Sequence, residues 1–213
     1  MEGLVIRAEV PADHRAVEEM TREAFWNVYA PGCEEHYLVH CLRTHPDFIP
    51  GLALVAQLEG RLAGNVMYTV SRLTDEEGRE KEILTFGPPT VHPDYQRRGI
   101  GKALLKRSFD IAREMGYEAV VIFGNPGNYV GRGVQSCKKF GVSTPTGKFP
   151  CAMLVKELAP GALAGHRWVY RESPAYEADP AGFEAFDAAF PPKKKGWRPS
   201  QEEFYIYSHS ALQ

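Results

Sequence analysis

What the chain lacks narrows it first. No two of its four cysteines, at positions 33, 41, 137 and 151, form a CxxC pair, so their spacing encodes neither a zinc site nor a disulfide framework. Reduced thiols, and with them a cytoplasmic protein, are the expectation. The opening residues Met-Glu-Gly-Leu-Val-Ile-Arg hold no basic leader and no long apolar run, which leaves no secretory signal to read. The longest apolar stretches, around Gly51–Leu58 and Ala119–Gly124, are far too short to cross a bilayer and read as buried strands. Net charge is also scarce: 25 Lys and Arg against 27 Asp and Glu give −2, which argues against nucleic acid or an anionic membrane as partner. The run Lys193-Lys194-Lys195 between Pro192 and Gly196 reads as a solvated loop. His36 and His40 have the i, i+4 spacing of metal ligands, but no acidic partner completes an HExxH pattern. No metal is expected, and there is no internal repeat.

What is present describes an ordinary globular chain. Of 213 residues, 44% are apolar and 24% charged, enough for a real core in one large domain or one domain with an appendage. Leu4–Val10 alternates as a strand, and Pro11-Ala12-Asp13 precedes a helical pattern carrying Val17, Met20, Phe25 and Val28. A second helix is expected over Glu34–Arg43. Strands at Leu52–Leu58 and Arg61–Arg72 flank the turn Glu59-Gly60, and another spans Glu82–Val91. A strongly periodic helix follows, with Ile100, Leu104, Ser108, Ile111 and Met115 on one face, Ala103 and Ala112 beside it, and Gly116 as its stop. Glu118–Phe123 is the next strand, and the strand–helix–strand crossover implies a parallel pair. A short helix or turn is expected near Asn128–Lys139, a strand at Ala152–Leu158, short strands at Arg167–Glu172 and Glu203–Ser208, and a helix near Ala181–Phe190. The segment after Pro160 carries too many large rings for a disordered arm, so it should pack on the main domain or on a second copy of the chain as a homodimer.

The junction Gln96-Arg97-Arg98-Gly99-Ile100-Gly101 joins a strand to the periodic helix. Its glycines clear side chains where the backbone must turn and meet a ligand closely. The helix it opens presents unpaired N–H groups and a positive dipole end, which favour phosphate oxygens. It is no P-loop, because position 96 is Gln and Lys102 is followed by Ala103. Nor is it a dinucleotide fingerprint, because the third glycine position is Leu104.

Val91-His92-Pro93-Asp94-Tyr95-Gln96-Arg97-Arg98-Gly99-Ile100-Gly101-Lys102-Ala103-Leu104-Leu105 resembles the acetyl-CoA motif of GNAT acetyltransferases, [QR]xxGx[GA]. The resemblance runs from about Leu4 to Leu158. More narrowly the chain is similar to the YhbS-like group of bacterial N-acetyltransferases, whose C-terminal extension begins near a sequence like Pro160-Gly161-Ala162-Leu163. It implies a mixed α/β GNAT domain over residues 1–158, with a central, mostly antiparallel sheet splayed at one parallel strand pair and helices on both faces. Residues 159–213 would form an aromatic-rich extension. It implies that the backbone of Gln96, Arg97, Arg98, Gly99, Ile100, Gly101, Lys102 and Ala103 wraps the pyrophosphate of acetyl-CoA. Pro88 and Pro89 would help open the strand pair, leaving Thr90 and Val91 for the pantetheine, with Asn125 and Asn128 on the opposite side. Tyr129 would be the acid that protonates the departing thiolate. The acceptor is then a small-molecule amine or a peptide, and the runner-up reading is a CoA-binding module with little turnover. No carboxylate stands where many relatives keep a basic Glu: Glu82 lies too early. Glu34, Glu35 and His36, near the second helix, are candidates for the acceptor side, and none is assigned as base. Cys137 and Cys151 lack the partners of a covalent route.

Overall fold

The structure, a computed structural model, describes residues 3–177 and 179–213. The chain runs through β1 (Leu4–Ala8), α1 (His14–Phe25) and α2 (Glu35–Leu42), then β2 (Leu54–Leu58), β3 (Arg61–Val66), β4 (Tyr68–Thr74), β5 (Glu80–Phe86) and β6 (Thr90–Val91). Next come α3 (Ile100–Glu114), β7 (Ala119–Phe123), α4 (Pro126–Tyr129), β8 (Gln135–Ser136), β9 (Val142–Ser143), β10 (Phe149–Pro150) and β11 (Met153–Glu157). The last part holds β12 (Trp168–Arg171), α5 (Pro180–Asp187), α6 (Pro199–His209) and β13 (Ala211–Leu212). No described helix is long and apolar enough to cross a membrane.

A four-stranded sheet, β1-β2-β3-β6, and a seven-stranded sheet, β8-β11-β7-β5-β4-β12-β9, form the centre, and only the β5–β7 and β9–β12 contacts in them are parallel. The apolar run in β2 is uninterrupted because both of its faces are covered. Leu54 and Ala56 pack toward α3 with Ile100 and Leu104, whereas Ala53 and Val55 pack toward α1 and α2 with Val17, Met20, Val39 and Leu42. This is the mixed α/β architecture the sequence implied, with helices on both faces.

Two strands expected to be continuous are split, and the splits face each other. Arg61–Arg72 breaks at Met67 into β3 and β4, and Glu82–Val91 breaks at Gly87-Pro88-Pro89 into β5 and β6. Neither proline has an N–H for a ladder; Gly87 N–H instead donates to Met67 O at 3.2 Å. After the breaks β3 and β6 pair in one sheet, and β4 and β5 pair in the other. Strand β5 keeps its parallel partner β7 only through Leu84↔Val120 and Thr85↔Val121. Beyond that point β6 leaves for the smaller sheet, while β7 stays bonded to β11 as far as Phe123. A wedge opens between them.

The buried face of α3 comprises Ile100, Leu104, Leu105, Ser108, Phe109 and Ala112. Met115, expected on that face, is 47% exposed, and Leu105 and Phe109 turn inward in its place. Ser108 belongs inside because its hydroxyl accepts from Tyr68 OH at 2.7 Å and donates to Leu105 O. The segment after residue 158 packs on this framework. Strand β12 lies between β4 and β9, and α5 and the loop after it dock on α1 and α2. The expected strand at Glu203–Ser208 is instead part of α6. Pro199 sits in that helix's first turn with Glu202, and Ser200 Oγ and Gln201 Nε2 donate to the carbonyls of Val28 and Asn27. Helix-start chemistry and this anchoring outweigh the strand preference of Phe204-Tyr205-Ile206-Tyr207.

Candidate active site

The turn into α3 is built for close approach by an anion. Arg97 has φ +61°, and Gly99, the N-cap, has φ +86° in the left-handed region. Ala103 N–H donates to Gly99 O at 3.0 Å, so the helical ladder begins there. The N–H groups of Ile100, Gly101 and Lys102 precede it and have no acceptor one turn back. Arg97, Arg98 and Lys102 are exposed around them, while the Ile100 side chain is buried in the core, which leaves only its backbone facing the turn. Gln96 braces the loop by donating from Nε2 to Val91 O at 3.2 Å.

The wedge between β6 and β7 contains two adjoining cavities. A narrow slot of about 150 Å³ reaches from the start of α3 along β6, lined by Thr90, Val91, Gly101, Asn128, Tyr129 and Arg132 among others. A larger cavity of about 330 Å³ shares Pro89, Val91, Asn128 and Tyr129 with it, and extends to Phe25, Tyr29, Glu35, Glu172 and Tyr176. Tyr129 thus stands where the two meet. Its ring lies edge-on to Phe86 at 5.9 Å and so tightly over Gly124 that a Cβ there would come within 2.8 Å of Tyr129 Cε2. Burial holds the phenol well above its ordinary pKa, with smaller opposing help from Arg132. Tyr129 therefore carries its proton at any working pH, and burial in the same cavity raises the proton affinity of a thiolate too.

The sequence and the fold have counterparts in known proteins. A family model described as "Acetyltransferase (GNAT) family" matches residues 18–131, more than half of the chain. The chain belongs to the GNAT acetyltransferase family. It is 29% identical over 126 residues to the uncharacterized N-acetyltransferase YhbS of Escherichia coli strain K12, a stretch covering 59% of this chain and 70% of that protein. The crystal structure of E. coli YhbS in complex with CoA superposes with a TM-score of 0.70 at 25% identity, covering 82% of this chain and 92% of that one. A GNAT acetyltransferase of Brucella melitensis, solved with acetyl-CoA, gives a TM-score of 0.64 at 22% identity over 83% of this chain and all of that one, a likeness of fold.

Within this GNAT fold, several residues singled out from the sequence come together. Gln96, Val91, Asn128 and Tyr129 line the larger cavity, and Thr90, Val91, Gly101, Asn128 and Tyr129 line the slot. Thr90 turns its hydroxyl toward α1, 3.2 Å from Thr21 Oγ1, so its backbone is what borders the slot. Asn125 stands apart: its Oδ1 accepts from Gly127 N–H at 2.9 Å and caps α4. His36 and His40 diverge, His36 bonding Asp187 and His40 bonding Glu18. No group of three or more His, Cys, Asp or Glu side chains is placed to hold a metal among the described residues.

Three groups escaped the sequence reading, Arg132, Glu172 and Tyr176, and a fourth, Glu35, was one of three acceptor-side candidates left without a role. Arg132 brings a cation to the slot, its Nε buried without a partner. Glu35, at the start of α2, lines the larger cavity, and burial pushes its carboxyl up to about 7, against the pull of the backbone N–H groups of Glu34 and Glu35. Glu172 and Tyr176 reach the same cavity from beyond β12, and burial raises the Tyr176 phenol. The adjacent pair Glu34-Glu35 carried a faint signal for one of these, but only the fold decides that Glu34 is exposed and Glu35 half-buried.

Proposed function

We propose that this GNAT enzyme moves the acetyl group of acetyl-CoA to a primary amine, by direct attack within a ternary complex. The observation that carries the reading is the pair of joined cavities with Tyr129 at their meeting point, one running to the open start of α3 and the other to the acceptor side. The residues fit the cosubstrate. Free N–H groups at the turn and the positive helix end suit a pyrophosphate, Arg132 adds charge, and the backbone of Thr90 and Val91 borders a slot narrow enough for the pantetheine arm.

Acetyl-CoA supplies the thioester, and the chain's own residues do the rest. Residues 97–102 hold the diphosphate and fix the distance from which the arm enters. The edge of β6 orients the arm so that its thioester end reaches the larger cavity. The aromatic walls exclude water, which would compete with the amine for the acyl group. Tyr129 Oη holds a proton beside the place where sulfur departs, and gives it up as the C–S bond breaks.

Two measurements test the reading together: titration calorimetry with acetyl-CoA, and thiol release against a panel of primary amines. Binding in the micromolar range with CoA release for at least one amine is expected. Tight binding with no release from any amine would leave a binding module in place of a transferase.

A further inference from the structure

The acceptor side of the cavity has a composition that selects its ligand. Its walls are the rings of Phe25, Tyr29, Phe123 and Tyr176, and among the described residues its only ionisable groups besides the tyrosines are the carboxyls of Glu35 and Glu172. No described lysine, arginine or histidine lines it. An incoming ammonium therefore finds opposite charge and π-faces, whereas a carboxylate on the acceptor would be desolvated without a cation and repelled by two acids. At about 330 Å³ the cavity sits near the lower end of the range of about 300–1,000 Å³ for small-molecule sites, and it must also admit the thioester end. That leaves room for a compact acceptor.

The two acids differ in place. Glu172 is exposed at the rim, whereas Glu35 is half-buried on the wall. Glu35 also borders two outer cavities of about 190 and 330 Å³, one toward Tyr37 and Asp179, the other toward Cys33 and Lys195. A proton taken inside thus has an outward path. Resting on the acetyl-transfer reading above, we propose that Glu35 is the base for the acceptor amine, and that the acceptor is a compact aromatic or aliphatic amine bearing no carboxylate.

The protons balance. The ammonium gives one proton to the Glu35 carboxylate, and the neutral nitrogen attacks the thioester carbon. The C–S bond breaks, and Tyr129 protonates the sulfur. The second nitrogen proton restores Tyr129, leaving an amide and CoA thiol, and the proton on Glu35 leaves to solvent. The raised Glu35 carboxyl suits the task, because a base with a pKa close to working pH is half-deprotonated there and still accepts strongly.

The test compares phenethylamine and tyramine with phenylalanine and tyrosine as acceptors, in the wild type and in Glu35→Gln, across pH 5.5–9. Turnover of the amines, with the amino acids at least 100-fold slower, is expected. In wild type, kcat should fall on the acid side with a midpoint near 7; Glu35→Gln should lower kcat about 100-fold and flatten that limb, with acetyl-CoA affinity unchanged by calorimetry. Glu172→Gln should raise KM for the amine and leave kcat in place. Wild-type kcat and an intact acid limb in Glu35→Gln would overturn the base assignment alone, and equal rates for tyramine and tyrosine would overturn the acceptor class alone. Acetyl-CoA binding without release from any amine would bring down the transfer reading and this proposal with it.

Discussion

At the scale of single residues, the site depends on side chains whose roles are set by what surrounds them. Tyr129 was legible from its order after the second strand, but its environment was not. The ring needs Gly124 beneath it and Phe86 beside it, and neither requirement is visible in a linear sequence. Tyr129→Phe keeps this packing and removes only the hydroxyl. Turnover should fall about 100-fold while acetyl-CoA affinity holds, and unchanged turnover would remove the acid role. Glu35 was legible only as one of three candidates: two neighbouring glutamates have the same local signal, and the start of α2 exposes the first and half-buries the second. Asn65 is another residue no pattern would mark. It is fully buried on β3, and neither of its polar atoms has a hydrogen-bond partner among the described residues. Such a group costs about 1–3 kcal/mol. Asn65→Leu should therefore raise the unfolding free energy in urea melts, and a loss of stability would show that the amide is satisfied.

At the scale of elements, periodicity gave most helices and strands but took part of α6 for a strand, and it missed where elements break and which way they face. The split of two long strands at Met67 and at Gly87-Pro88-Pro89 makes the wedge. Only the second carried a mark, its prolines; nothing about Met67 distinguishes it from a residue inside a strand. On α3 the apolar positions permit more than one stripe. Tertiary packing chooses the one with Leu105 and Phe109 and leaves Met115 outside. The start of that helix was the clearest signal in the chain because glycine at a positive φ is a backbone requirement, not a packing outcome. Gly99 has φ +86°, a conformation costing an L-residue about 1–2 kcal/mol. Gly99→Ala should destabilise the protein by about that amount, turn the N–H groups of residues 100–102 off their target, and weaken acetyl-CoA binding at least tenfold. An unchanged affinity would place the pyrophosphate elsewhere.

At the scale of the whole molecule, the segment beyond residue 158 helps to build the larger cavity, because Glu172 and Tyr176 line it. What fastens it is a buried polar knot. Arg22 Nε donates to Asp187 Oδ1 at 2.8 Å and its guanidinium lies 4.4 Å over the Trp26 ring, while His36 Nε2 donates to the same carboxylate oxygen at 3.0 Å. That leaves His36 Nδ1 to accept from the Cys33 thiol at 3.5 Å. Burial lowers the His36 pKa to about 4, although Asp187 pulls the other way. An unfolded histidine titrates near 6.5, so between about 6.5 and 4 the unfolded chain binds more protons than the folded one. Stability contributed by neutral His36 is therefore complete above that window and is lost as pH falls through it. Glu35 acts in the opposite sense, since a raised carboxyl favours the folded state at low pH, but that contribution is common to wild type and a His36→Gln variant. The difference in unfolding free energy between the two should shrink by about 3 kcal/mol from pH 7 to pH 4, measured by urea melts. Parallel pH curves for the two proteins would mean that His36 is not what couples the extension to acid.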